Sequence, residues 1–335
     1  MTEQEQGSLY EGLLTVTPSP HIKHTDTTAR VMLHVLIALM PAFIWGIVVF
    51  GWNAAIMPLV AVGASVLFEY LVQKLLRKPV TVGDLSAAVT GLLLGLNLPA
   101  SDSYFLPVVG AAFAIVVVKQ LFGGIGKNFV NPALAGRAFM FSWPVAMSTW
   151  VKVGFANAAS PFGAADVVTA ATPLSFMHQG QLPDVSVMDA FLGNVGGCIG
   201  ETSALLLLIG FVYLLARKVL TARIPLAYIG TVAVLSFLFP MGHGNLQWMA
   251  YQLFTGGLML GAIFMATDYV TSPVTKLGQI IFGIGCGVIT VVIRYFGGYP
   301  EGVSYAILVM NCCVVLLDKL GRPVKFGAPK KEAAK

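Results

Sequence analysis

Ten stretches of this chain are apolar over roughly the 17–25 residues that a helix needs to cross a bilayer. They fall at about 31–52, 54–73, 83–99, 104–122, 131–150, 199–216, 224–241, 246–266, 278–294 and 303–318. Composition agrees with the pattern. Of 335 residues, 57% are hydrophobic and 10% charged, against about 25% charged in a soluble domain, so there is too little polar surface to wrap a water-soluble core. The first run begins at Val31 behind a polar segment, too long and too late for a cleaved secretory signal, and the N-terminus is expected to be retained. The third and fifth runs are interrupted by Gly, Pro and Asn, which membrane helices tolerate where they are buried in protein or line a site. The fold expected is an all-α integral membrane protein of about ten transmembrane helices, some of them interrupted.

Basic residues set the orientation. Ten spans place Lys23, Arg30, Lys74, Arg77, Lys78, Lys119, Lys127, Arg217, Lys218, Arg223, Lys276 and the six basic residues from Lys319 to Lys335 on one side, and only Lys152 and Arg294 on the other. Both termini are therefore expected in the cytoplasm. The expected divisions are a cytoplasmic segment (1–30), a five-helix membrane repeat (31–150), an extracytoplasmic loop (151–198), a second repeat (199–318) and a basic tail (319–335). The net charge of +5 is a topology signal, because the positive residues are scattered over loops without the aromatic interleaving of a nucleic-acid surface.

The halves resemble each other. Gly91-Leu-Leu-Leu-Gly95 is followed by Asp102 and then VVVKQLFGG; Gly257-Leu-Met-Leu-Gly261 is followed by Asp268 and then TVVIRYFGG. The aspartate lies eleven residues after the first glycine in both. Five spans in each half make the halves inverted relative to each other, an arrangement that builds sites at the midplane; each GxxxG alone reads as plain helix packing.

The ionisable groups in or near the membrane are Glu69, Asp102, Arg137, Glu201 and Asp268. A carboxylate at the bilayer centre costs about 2.5–3.5 kcal/mol on insertion scales, so each needs a function or a partner. Asp102 and Asp268 read as helix-end residues, Glu69 as neighbour to Lys74, Arg77 and Lys78, Glu201 as the acid opening the sixth run, and Arg137 as lying near a helix start. Cys198, Cys286, Cys312 and Cys313 match no metal or disulfide spacing, and His21, His24, His34, His178 and His243 do not cluster at ligand spacing. No metal site is expected. GGIGKN, from Gly123, lacks P-loop spacing and a preceding strand, which argues against nucleotide hydrolysis.

Within the large loop stands DVVTAATPLS, residues 166–175, small, hydroxyl-rich and nearly uncharged. Alone it reads as an ordinary turn. Four other stretches give it meaning: SPHIKHTDTTARVMLHVLIALMPA, DLSAAVTGLLLGLNLP, GKNFVNPALAGRAF and FMATDYVTSPVT with GGYPEGVSYAILVMN. Together they resemble the family that holds the D subunit of the Rnf complex and the B subunit of the sodium-translocating quinone reductase, over nearly the whole chain. Length fits the Rnf protein better. The resemblance implies FMN attached covalently through its phosphate to a threonine in a motif like Ser/Thr-Gly-Ala-Thr. Here that is Thr172, with motif neighbours Asp166, Thr169 and Ala171, and with Ala170 in place of the usual glycine. It implies an inner-membrane electron-transfer subunit linking ferredoxin and NAD to sodium or proton transport. The implied partners are a second flavinylated subunit, membrane iron–sulfur subunits, cytoplasmic ferredoxin and NADH subunits, and a flavin transferase for maturation. The quinone-reductase relative implies a second, non-covalent flavin (riboflavin), with GKNFVNPALAGRAF around it. No catalytic residue and no complete activity are expected from this chain alone. A channel or secondary transporter without redox role is the alternative from another class.

Overall fold

The structure, a computed structural model, describes residues 26–100, 103–147, 150 and 172–320, and all regular structure among them is helical. In chain order the helices are α1 (Thr28–Phe50), α2 (Asn53–Leu75), α3 (Ser86–Leu96), α4 (Phe105–Gln120), α5 (Pro132–Met140), α6 (Pro144–Met147), α7 (Pro173–His178), α8 (Val187–Leu192), α9 (Ala204–Ala216), α10 (Arg223–Leu238), α11 (Asn245–Phe254), α12 (Leu258–Met265), α13 (Lys276–Phe296) and α14 (Val303–Leu320). Asp102, Lys152 and the basic tail beyond Leu320 lie outside the described residues.

Four helices (α1, α2, α13 and α14) are long and apolar enough to cross a membrane. A fifth candidate is the pair α11–α12, bent by 63° at the break between them. The remaining apolar runs are shorter than expected. The third run is an eleven-residue helix, α3, about 16 Å long at 1.5 Å per residue, and the fifth is the nine-residue α5 followed by α6. The causes are local. Asn131 caps α5 by accepting from Ala133 N and Leu134 N, with Pro132 in the first turn, so the helix cannot begin earlier. Ser203 caps α9 in the same way through Leu206 N. α4 relaxes to i→i+5 bonding over Phe113–Gln120, and α12 does so over Gly261–Met265, where Ala266 N reaches Gly261 O at 2.7 Å.

The long helices turn apolar side chains outward: Leu33, Ile37 and Ile44 on α1, Ile284, Val288 and Val292 on α13, Val309, Val315 and Leu316 on α14. Polar groups sit on inner faces: Ser65, Glu69 and Gln73 at four-residue steps along α2, Thr290 and Arg294 on α13, Ser304 and Asn311 on α14. An apolar outer face, with the few polar groups kept inside beside an apolar core, is what lipid as solvent demands. The protein is a multi-pass membrane protein.

Both GxxxG stretches lie where a side chain has no room. On α3, a Cβ at Gly91 would come 2.6 Å from Val62 Cα of α2. At the start of α12, a Cβ at Gly257 would come 2.6 Å from Glu201 Oε1 and 2.8 Å from Glu301 Oε1.

Candidate functional site

Thr172 is the last residue before α7. Its extended backbone (φ −71°, ψ 151°) places it at the N-cap, with Pro173 at the first helical position. Its carbonyl is used by the helix: Ser175 N and Ser175 Oγ donate to it at 2.9 and 2.7 Å. Its hydroxyl does not cap the helix, which leaves a nucleophilic oxygen unspent at this position. Asp166, Thr169, Ala170 and Ala171 lie outside the described residues.

Thr172 lines a cavity of about 370 Å³, within the roughly 300–1,000 Å³ of organic-ligand pockets. Phe141, Trp150, Tyr299 and Tyr305 supply aromatic wall; Phe141 and Tyr305 stack with ring centroids 5.8 Å apart. Glu201, Thr202, Thr255, Glu301 and Ser304 supply the polar part. The chemistry of this donor set suits a flat, amphipathic, phosphate-tethered group: aromatic faces for a ring system, a hydroxyl for a phosphoester, and a few polar groups to fix orientation.

Behind that polar part sits Arg137, in the last turn of α5 and 2% exposed. The expectation of a position near a helix start is thus corrected: the Asn131 cap begins the helix six residues earlier. Its Nη1 donates to Asn97 Oδ1 at 2.9 Å and Ser304 Oγ at 3.1 Å. Its Nη2 donates to Glu301 Oε2 at 2.5 Å and to Cys198 Sγ at 3.4 Å. Nη1 also lies 3.2 Å from Glu201 Oε1, an ion pair without hydrogen-bond geometry. Glu201 reaches Arg137 because Ser203, not Glu201, begins α9, leaving the acid in the preceding turn.

Arg294, near the end of α13, meets the break between α11 and α12. It donates to Gln252 O and Oε1 at 2.5 and 2.9 Å, to Thr255 O at 3.4 Å and to Glu301 O at 3.2 Å. It thus occupies carbonyls that the bent helix pair leaves without an intrahelical donor. Neither Arg294 nor Glu301 stood out in the sequence. For Arg294 the signal was a charge inside an otherwise apolar run; for Glu301, in YPEG, there was none.

Glu69 lies one turn before Lys74, Arg77 and Lys78 near the end of α2, yet its ionic partner comes from elsewhere. It meets Lys119 of α4 at 2.8 Å, Gln120 Nε2 at 2.7 Å and Gln73 Nε2 at 3.3 Å, because it lies on the inner face of α2 while those cations extend the exposed end. Asp268, just beyond α12, accepts from Thr271 Oγ1 at 3.0 Å, a helix-end arrangement as expected. With Ser86, Lys119, Asn128 and Asn131 it lines a second cavity of about 110 Å³, to which GKNFVNPALAGRAF contributes the two asparagines. Among the described residues no three His, Cys, Asp or Glu are grouped to hold a metal.

Outside the spans, Asp189 of α8 closes a capping arrangement. Ser186 Oγ donates to it at 2.6 Å and Asn194 Nδ2 at 3.3 Å, and these bonds, the first foremost, hold its carboxyl below the usual range.

The model of the NQR2, RnfD, RnfE family matches residues 15–327. The D subunit of the Na+-translocating ferredoxin:NAD+ oxidoreductase complex of Acetobacterium woodii is 47% identical over 326 residues, covering 96% of this chain and 98% of that protein. The D subunit of the proton-translocating ferredoxin:NAD+ oxidoreductase complex of Clostridium ljungdahlii is 40% identical over 333 residues, covering 96% and 98%. The D subunit of the ion-translocating oxidoreductase complex of Stutzerimonas stutzeri is 38% identical over 327 residues, covering 89% and 92%.

Proposed function

Since the chain belongs to the NQR2, RnfD, RnfE family, we propose that it is the D-type membrane subunit of an ion-translocating ferredoxin:NAD+ oxidoreductase complex, carrying FMN through a phosphoester to Thr172. The observation that carries the cofactor part is the position of Thr172, whose hydroxyl is not spent on capping, on the wall of an aromatic cavity of about 370 Å³. Bound there, FMN supplies one- and two-electron transfer. The chain's own contribution is binding and exclusion of water. Thr172 tethers, Phe141, Trp150, Tyr299 and Tyr305 present apolar ring faces, and Glu201 and Glu301 offer hydrogen-bonding groups at one edge. The relatives' names differ in the transported cation, sodium in one and protons in another, and the cargo here is one of these.

The partners proposed are the other subunits of such a complex, including a second flavinylated subunit, together with a flavin transferase. A second, non-covalent flavin would require the smaller cavity to open beyond about 110 Å³. The halves are proposed as inverted repeats with both termini cytoplasmic and the Thr172 loop outside. Five apolar helical units precede residue 150, counting α5 as one, and five follow residue 200, counting α11–α12 as one. The matching GxxxG stretches lie in the third unit of each half.

The test is co-expression with a flavin transferase followed by a denaturing gel viewed in fluorescence. Wild type and Thr172→Ser should fluoresce, the second because it keeps the hydroxyl, and Thr172→Ala should be dark. A dark wild-type band beside a bright control substrate would remove the cofactor proposal and bring forward a transporter without redox role.

A further inference from the structure

Glu201 and Glu301 meet in an unusual way. Glu301 Oε2 is taken by Arg137, and Glu201 Oε1 faces the same guanidinium without a hydrogen bond. The Oε1 atoms of both acids converge over Gly257, whose missing Cβ would lie within 2.6 and 2.8 Å of them, and neither Oε1 has a hydrogen-bond partner among the described residues. The two carboxyl groups thus crowd the same point beside Gly257. Glu201 is almost wholly buried, its side chain 4% exposed, while that of Glu301 is 19% exposed at the cavity wall. Two buried acceptors thus face each other with no donor between them, which is costly unless a donor is supplied.

We infer that Glu201 and Glu301 share one exchangeable proton, forming a carboxylic acid–carboxylate pair on the wall of the Thr172 cavity. The proton sits on Glu201, because Glu301 has the short Arg137 bond that favours its charged form. It satisfies both orphan oxygens at once, and it removes a like-charge repulsion in a site of low dielectric. A metal cation is disfavoured there, since the Arg137 guanidinium stands 3.2 Å from one acid and 2.5 Å from the other. The other charged and titratable groups facing the pair are Arg294 from α13, whose donors all go to carbonyl oxygens, Cys198 from the turn before α9, and Tyr299 and Tyr305 on either side of Glu301. The more exposed Glu301 gives the pair its exchange route to the cavity. Coupling of this proton to electron transfer rests on the flavin reading; the proton site itself does not.

The full chain is purified in lipid nanodiscs without flavin transferase, and its infrared difference spectrum is taken between neutral and alkaline pH. Solvent-exposed carboxyls are already ionised over that range. Wild type should lose the carbonyl stretch of a protonated carboxyl as pH rises, and the band should shift in D2O. Glu201→Gln should lack the band while remaining folded, because the carboxamide supplies an N–H donor at the same place. Glu301→Gln is the second variant should the first fail to fold. The inference is overturned if folded wild type shows no such band. It is equally overturned if the band survives in folded Glu201→Gln, placing the proton on another acid, if it survives unshifted in Glu301→Gln, showing that the two acids do not share it, or if sodium at constant pH abolishes it, which would make the pair a cation site. None of these outcomes depends on Thr172 chemistry, which the fluorescent gel reads separately.

Discussion

Arg137 touches more of the molecule than any other charged side chain described above. Its partners come from the end of α3, the turn before α9, the loop before α14, and α14 itself. Removing it leaves two largely buried acids without their cation. Loss of one partner from a buried ion pair costs about 3–5 kcal/mol, and Arg137→Met should destabilise the protein by that order, read as a lowered unfolding midpoint in detergent. An unchanged midpoint would mean that the two acids are solvated or protonated independently of it. At this scale the sequence was half legible. Glu201 and Arg137 were recognisable as expensive residues in an apolar chain. Their pairing was not, since 64 positions separate them and no periodicity links a nine-residue helix to a turn in the other half. Thr172 was legible only through resemblance; its surroundings follow from folding.

Among the elements, the break between α11 and α12 shows how a bend is held at membrane depth. Gly256 takes φ +71°, a left-handed conformation, and the Arg294 guanidinium meets the carbonyls of Gln252 and Thr255 on one side of it. Arg294→Met leaves these buried acceptors without that donor, at about 1–3 kcal/mol for an unsatisfied group. Faster amide exchange over 252–258 is the expected signature, with the distant end of α2 unaffected. α8 offers a pH-dependent counterpart. Because Asp189 has its folded pKa depressed, its contribution is present above the ordinary carboxylate range and is lost as pH falls through the folded value. Amide protection in 187–192 should therefore drop under acid, and Asp189→Asn should flatten that response. Long elements were readable from the apolar runs to within about three residues, as with 31–52 against Thr28–Phe50. The short ones were not, because a run of apolar residues does not reveal where Asn131 or Ser203 will cap.

For the molecule as a whole, apolar side chains face outward, and the orientation proposed from the basic loops is open to a direct test. A cysteine-free variant with Met188→Cys, exposed on α8, should react in intact cells with a membrane-impermeant maleimide. Lys78→Cys, after α2, should react only once the cells are opened. The reverse result would invert the topology and put Thr172 on the cytoplasmic side. Membrane residence was legible from composition alone, since no arrangement of 10% charged residues covers a soluble core of this size. What sequence could not show is how the halves are joined. Asn131 Nδ2 donates to Met265 O at 3.1 Å, and Asn97 Nδ2 to Met265 Sδ at 3.3 Å, beside the Arg137 contacts. An alternating-access carrier works by rocking one repeat against the other, and here the seam is latched by buried bonds that such a stroke would have to break. On the reading proposed above, a seam closed by such bonds suits a fixed carrier of electrons better than a rocking pump.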